Sequence, residues 1–326
     1  MEISELRDRI SDLARDFAWS QWAQMGVSGS TSRMDRWAAD PEALFLLTLE
    51  VGRDDPRLTD EVLDWFGTNE RLLSVQRLRN LADDGDDSAL VEAAIGWAAQ
   101  WRPRPRLNAK PEPAASEPIP YFRRLGAPAR DLDRGFLAAG FHKPLTRPSW
   151  KSQAPDFELP INFAFRMRSL LGIGARAEVA RILVCSSSPS VSAQELAALA
   201  AFSKRNTQEA LGGLRAAGVI SSSPHSNEQR FEARRARWAS LLGLDPAALP
   251  GLVDWPALFG AIRQILRWLS DPKTEDLSDY MRGSEARTLL ESSGNKLIRG
   301  GITYSSSADP WQDLVGVIDE LGRIFR

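Results

Sequence analysis

Lys204, Arg205, Asn206 and Gln208 fall within a single helical turn or so, and Arg215 follows on the same segment. These residue types share one chemistry. Arginine and lysine donate to guanine O6 and N7, and asparagine and glutamine can pair with adenine through two hydrogen bonds. Ser203, just before them, can cap the first amides of a helix, and a helix N-terminus favours a phosphate through its free N–H groups and dipole. Downstream, His225, Asn227 and Arg230 gather in and beside a polar turn, within reach of a phosphate or a minor groove. Solvation alone also coats an exposed helix with such residues. The elements that position them therefore decide what they can mean.

Ser192 with Glu195 three residues on is a capping box that opens a helix of Ala, Leu and Glu, and Ala201-Phe202 breaks it. Ser203 caps a second helix in which Thr207, Ala210, Leu211 and Leu214 recur at i, i+3, i+4 and i+7, one stripe to be buried. With that stripe inward, Lys204, Arg205, Gln208, Gly212 and Arg215 point outward and Asn206 flanks them. Gly218 stops the helix. Val219-Ile220, a turn of Ser, Pro and Asn, and the alternating 229–233 segment then read as a hairpin. Gly212-Gly213 disfavours a helix interior by up to ~1 kcal/mol per glycine, which implies close packing or close approach of another backbone.

Preceded by a helix over 176–185, this order resembles the winged helix-turn-helix domain of MarR-like and ArsR-like transcription regulators, over roughly residues 163–242. The resemblance implies that the second helix of the pair enters the DNA major groove and that the hairpin is the wing. Ser203, Lys204, Arg205, Asn206, Gln208, Arg215, His225, Asn227 and Arg230 are then the DNA-binding set. Arg205 and Gln208 fall where base edges are expected and Arg230 where phosphate is.

Charge is distributed to match. The chain holds 41 Lys and Arg against 43 Asp and Glu, which argues against a nonspecific nucleic-acid coat. Between 160 and 240, however, eleven basic residues face five acidic ones, while between 54 and 92 eleven acidic residues face four arginines. A basic module in an acidic protein fits a DNA-binding domain joined to a sensing or partner domain, because phosphate needs neutralising only over the footprint.

The expected fold is mainly α in four parts: a helical N-terminal domain (1–102), a Pro-rich linker and irregular arm (103–160), the winged helix-turn-helix (161–243) and a helical C-terminal region (244–326). Helices are expected from Asp40-Pro41 onward, from Thr59 to a stop at Gly67, and over 71–81 with Gln76, Arg77 and Arg79 exposed. One short helix is expected near 132–139, and four more over 234–242, 255–269, 277–290 and 310–325. The six tryptophans at 19, 22, 37, 65, 97 and 101 read as core. In the last helix Leu314, Val317, Ile318, Leu321, Ile324 and Phe325 make a stripe suited to docking on the body or on a second subunit.

Enzyme chemistry is not expected. His142, His225 and Cys185 cannot assemble a zinc site at any usual spacing, and Cys185 reads as core filler. No P-loop or dinucleotide fingerprint is present. Gly26 to Ser30 with Asp35 faintly resembles a nucleotidyltransferase start but lacks the paired carboxylates, and Asp83 to Asp87 lacks the closing Glu of a calcium loop. No cofactor is expected, and without an apolar run of membrane length or a signal peptide the location expected is the cytoplasm. Two functions fit: a homodimeric, sequence-specific transcription regulator on double-stranded DNA, or a protein-binding adaptor or antitoxin-like partner on a winged-helix scaffold. The acidic N-terminal helices would supply a protein-partner surface.

Overall fold

Aspartate followed by proline starts four of the helices. In the computed structural model, which describes residues 2–29, 36–82, 85–111, 117–123, 130–304 and 306–325, the carboxylates of Asp40, Asp55, Asp271 and Asp309 each accept a backbone amide of the turn they precede. Proline then takes the first helical position, where a missing donor is no loss.

The chain is mainly helical. Helices α1 (Ile3–Gln24), α2 (Pro41–Val51), α3 (Pro56–Asn69), α4 (Val75–Leu81) and α5 (Gly85–Trp101) come first. In the arm, two-residue strands β1 (Ile119–Pro120) and β2 (Phe141–His142) pair in parallel around α6 (Arg134–Ala138), the short helix expected there, capped by Asp133. Next come α7 (Phe163–Leu171), α8 (Ala175–Cys185), β3 (Val191–Ser192), α9 (Ala193–Ala200), α10 (Lys204–Ala216) and the strands β4 (Ser221–His225) and β5 (Glu228–Glu232). The last three strands form one antiparallel sheet with β5 in the middle. Helices α11 (Arg235–Leu242), α12 (Trp255–Ser270), α13 (Pro272–Glu275), α14 (Asp279–Arg299) and α15 (Pro310–Ile324) complete the order. No helix among the described residues is long and apolar enough to cross a membrane.

Apolar side chains gather in two cores. One joins α1–α5 and the arm to α12, α14 and α15, so segments on both sides of 163–249 share it. Phe17 of α1 shows how: its ring lies 5.3 Å from Trp255, 5.8 Å from Phe259 and 4.1 Å from Phe325. The second core takes α7–α11, β3 and β5, with Ala38 and Leu249 at its edge. Trp22, Trp65 and Trp97 are fully buried, whereas Trp19, Trp37 and Trp101 lie half-buried around the first core.

Several expectations need correction. Gly67 does not stop a helix. α3 starts at the Asp55 cap and runs through Gly67, because a Cβ there would stand 3.3 Å from the rings of both Trp97 and Trp150 and its absence lets them close over the helix. Arg77, expected on the surface, is fully buried among carboxylates. α14 runs well past 290, to Arg299. The α15 stripe is spent inside the chain, since Leu314, Val317, Ile318 and Leu321 are sealed against α1 and α14. That face is not open to a second subunit. Residues 30–35 and 83–84, which carry part of the two motifs dismissed above, lie outside the described residues.

The acidic run of the N-terminal half is largely consumed internally. Asp87 receives Arg263 at 2.7 Å and Arg267 at 2.5 Å, Glu92 receives Arg79 at 2.6 Å, Asp54 receives Arg123 at 2.9 Å and Asp60 receives Lys143 at 2.8 Å. Burial opposes the charge of Asp87, but the two guanidiniums outweigh it and hold the carboxyl below its usual range. The acidic face available to a partner is therefore much smaller than the residue count implies.

Candidate nucleic-acid interface

Local sequence builds the two central helices as expected. Ser192 accepts the Glu195 amide at 3.2 Å while Glu195 accepts the Ser192 amide at 2.7 Å, closing the capping box. The Ser192 amide also holds the Glu195 carboxyl below its usual range. Ala201, at φ 53°, ends α9 in the left-handed conformation, and Ser203 caps α10 by accepting the Asn206 amide at 3.2 Å. Thr207, Ala210, Leu211 and Leu214 are buried, and Lys204, Arg205, Asn206, Gln208, Gly212 and Arg215 are exposed. Gly218, at φ +68°, turns the chain into β4.

The outer face of α10 and the hairpin enclose a groove of about 500 Å³. Lys204, Gln208, Gly212 and Arg215 line it from the helix, and Asn227 lines it from the two-residue turn between β4 and β5. Two glutamines and the exposed carboxylate Glu228 also line it. Gln194 in the first turn of α9 and Gln229 on β5 are exposed there and were overlooked in the sequence, although the capping box and the strand alternation placed both on the outside. A Cβ on Gly212 would meet nothing within 4 Å, and one on Gly213 would meet only the Arg176 guanidinium at 3.7 Å. Close packing within the chain therefore does not explain this glycine pair.

Other expected residues lie apart from the groove. Arg205, highly exposed, pairs with Glu209 at 3.1 Å one turn along. Asn206 and Ser203 face a second cleft, between the start of α10 and Gln76, Asn80 and Lys296. His225 is exposed at the end of β4. Arg230 is turned back: Nε donates to the Ser190 hydroxyl at 3.1 Å and Nη2 to the Ser190 carbonyl at 2.8 Å, and Glu228 and Glu195 lie at 2.9 and 3.3 Å. Placed opposite Ser192 in the β3–β5 register, it ties the strands together.

Beneath α9 and α10 lies a cluster of six buried charges. Arg77 meets Asp40 at 2.5 Å and Glu42 at 2.9 Å, Arg168 meets Glu42 and Glu178 each at 2.6 Å, and Arg181 meets Asp40 at 3.1 Å and Glu178 at 3.0 Å. Three guanidiniums balance three carboxylates. Arg77 Nε also donates to the Ala200 carbonyl at 2.8 Å, and Asn80 donates to the Ala201 carbonyl at 2.8 Å. The end of α9, and hence the turn into α10, is thus held by α4. Because Arg168 and Arg181 are buried here, and Arg166 and Arg235 donate to backbone carbonyls, the positive balance of the 160–240 segment reaches solvent mainly at Arg176, Lys204, Arg205, Arg215, Arg234 and Arg237.

Compared with protein-family models, curated proteins and solved structures, the chain matches none. Its chemistry must be read from its own residues. Among the described residues no group of three His, Cys, Asp or Glu is placed to hold a metal ion. Burial pushes the Cys185 thiol up to about 12 although Arg181 and Arg235 pull the other way, so the thiolate that nucleophilic chemistry needs is suppressed.

Proposed function

We propose that the chain is a sequence-specific DNA-binding regulator that reads duplex DNA through a winged helix. The observation that carries this reading is the convergence of Lys204, Gln208, Arg215 and Asn227 on one open polar groove, with Gly212 leaving room for a backbone from outside. Base-edge donors and acceptors on a helix, flanked by a hairpin, are what direct readout uses. Gln194 and Gln229 extend the same chemistry. Arg230, bound into the sheet, is assigned to holding the wing rather than to phosphate.

One observation favours the second reading, a protein-binding adaptor. Glu228 lines the groove itself, Glu209 and Glu232 are exposed on α10 and β5, and Glu209 and Glu228 already pair with Arg205 and Arg230. An acidic admixture weakens phosphate attraction and suits a mixed-charge protein partner.

The full chain decides between them, because the charge cluster joins α8 to α2 and α4 and a cut at 160 would break it. Fluorescence anisotropy with a random-sequence duplex should show affinity falling about a hundred-fold between roughly 50 and 200 mM salt if four basic side chains meet phosphates, at a log–log slope of about −0.9 per contact. Gln208→Ala should cost on the order of 1–3 kcal/mol on a selected site and relax its preference, while Arg230→Ala leaves the salt slope unchanged. Absence of duplex binding at low salt would remove the DNA reading and leave the adaptor.

A further inference from the structure

A cleft of about 1130 Å³ lies behind the hairpin, where α9 and β5 face α15, the end of α14 and the strand-like segment 36–37. Drug-sized ligands occupy sites of roughly 300–1,000 Å³. Its charges are mostly spoken for. Of its four arginines, Arg230 is paired with Glu228 and Glu195, Arg299 with Asp254 at 2.6 Å, and Arg323 with Glu320. Arg36 is different: it is exposed, and no carboxylate among the described residues lies within ion-pair distance of it.

Arg36 is also held in place. Its carbonyl accepts the Gly251 amide at 2.8 Å, Ala38 donates back to Gly251 at 3.1 Å, and its guanidinium stands 4.5 Å over the Trp37 ring. The Trp37 ring lies so close on Gly251 that a Cβ there would be 2.7 Å from it. A stacked guanidinium keeps its in-plane N–H groups for a planar or tetrahedral anion. Beside it, Leu199, Leu252, Val253 and Ile324 are each half-buried and turn their remaining surface to the cleft.

We propose that this cleft binds a small organic acid, an apolar ring-bearing molecule whose single anionic group forks onto Arg36 while its rings cover the four aliphatic side chains. One wall is the body of the chain and the other is α9 and the hairpin, so an occupant touches both. Any effect of that occupant on DNA affinity rests on the DNA reading, but binding itself does not.

The probe is 8-anilinonaphthalene-1-sulfonate, an aromatic monoanion, titrated into the full-length protein by fluorescence without DNA, with uncharged N-phenyl-1-naphthylamine as its comparator. Saturable binding at one site is expected, weakened at least ten-fold by Arg36→Glu, with the uncharged dye binding correspondingly more weakly than the anion. Ser188→Trp, which places an indole in the cleft from an exposed position, should remove both signals. Unchanged far-UV circular dichroism and melting temperature establish that each variant is folded. Absence of saturable binding, equal affinity of wild type and Arg36→Glu, or equal affinity for both dyes would overturn the proposal. Dye binding intact in a protein that ignores duplex DNA would overturn the DNA reading alone.

Discussion

Arg77→Ala lowers the unfolding free energy by on the order of 3–5 kcal/mol, the cost of stranding a buried charge once one partner of an ion cluster is removed. The cluster of Asp40, Glu42, Glu178, Arg77, Arg168 and Arg181 is neutral as built and becomes a net anion without Arg77. The Ala200 carbonyl loses its donor at the same time. Guanidinium denaturation of the purified variant measures the effect, and a loss below about 1 kcal/mol would mean that water screens the site as it screens a surface pair. The cluster also fixes how stability depends on pH. Burial opposes ionisation of Glu178 and Asp40, but Arg168, Arg181 and Arg77 outweigh it, so both carboxyls titrate below their ordinary range in the folded protein. A carboxyl with a depressed folded value contributes stability above its unfolded value, near 4, and loses it as the pH falls toward the folded one. Glu50 and Asp87 act with the same sign. Asp254 and Asp133, raised chiefly by burial, act against them and regain stability on protonation. With Glu195, whose carboxyl is also depressed, five lowered groups outnumber the two raised ones. The melting temperature should therefore hold above about pH 5 and decline steadily below about pH 4; a flat profile through that range would contradict the pairing.

Trp65→Ala is expected to cost a further class of stability, about 3–5 kcal/mol for the lost ring, plus about 1–3 kcal/mol for an orphaned carbonyl. Trp65 is fully buried, its ring centre lies 4.9 Å from that of Trp22 and 6.0 Å from that of Phe165, and its indole donates to the Met25 carbonyl at 2.7 Å. It therefore fastens the end of α1 to α3 and α7 with a single side chain. Trp65→Phe retains most of the ring contact and loses the hydrogen bond, so it should fall well short of the alanine variant in urea titrations. Equal losses for the two would assign the whole effect to the hydrogen bond and contradict the packing argument.

What could be read from the sequence was local. Ser192 with Glu195, Ser203 with the Thr207–Leu214 stripe, and Gly218 each act within a turn or two of their own helix, and all are seen as expected. Arg77 and Arg230 show the limit. Both sit where spacing points a side chain at solvent, yet each is captured by groups far along the chain, Arg77 by Asp40 and by the Ala200 carbonyl, Arg230 by Ser190. Long-range ion pairing leaves no period in the sequence. The same holds for charge: eleven basic residues between 160 and 240 suggested a strongly positive module, but burial of Arg168 and Arg181 removes two of them from the surface. Gln194 and Gln229 were missed for the opposite reason, since glutamine is common on any exposed helix or strand and only the groove singles these two out.

The shared core has a consequence for how the chain is made. Phe17 of α1 waits for Trp255, Phe259 and Phe325 to cover it, and about 240 residues separate it from the first of these. The 163–249 segment, whose own core closes earlier, emerges while the first helices are still uncovered. A ribosome that stops before α15 would release a chain whose second core has closed on an unfinished scaffold, apolar faces outward: a product for chaperones and proteases.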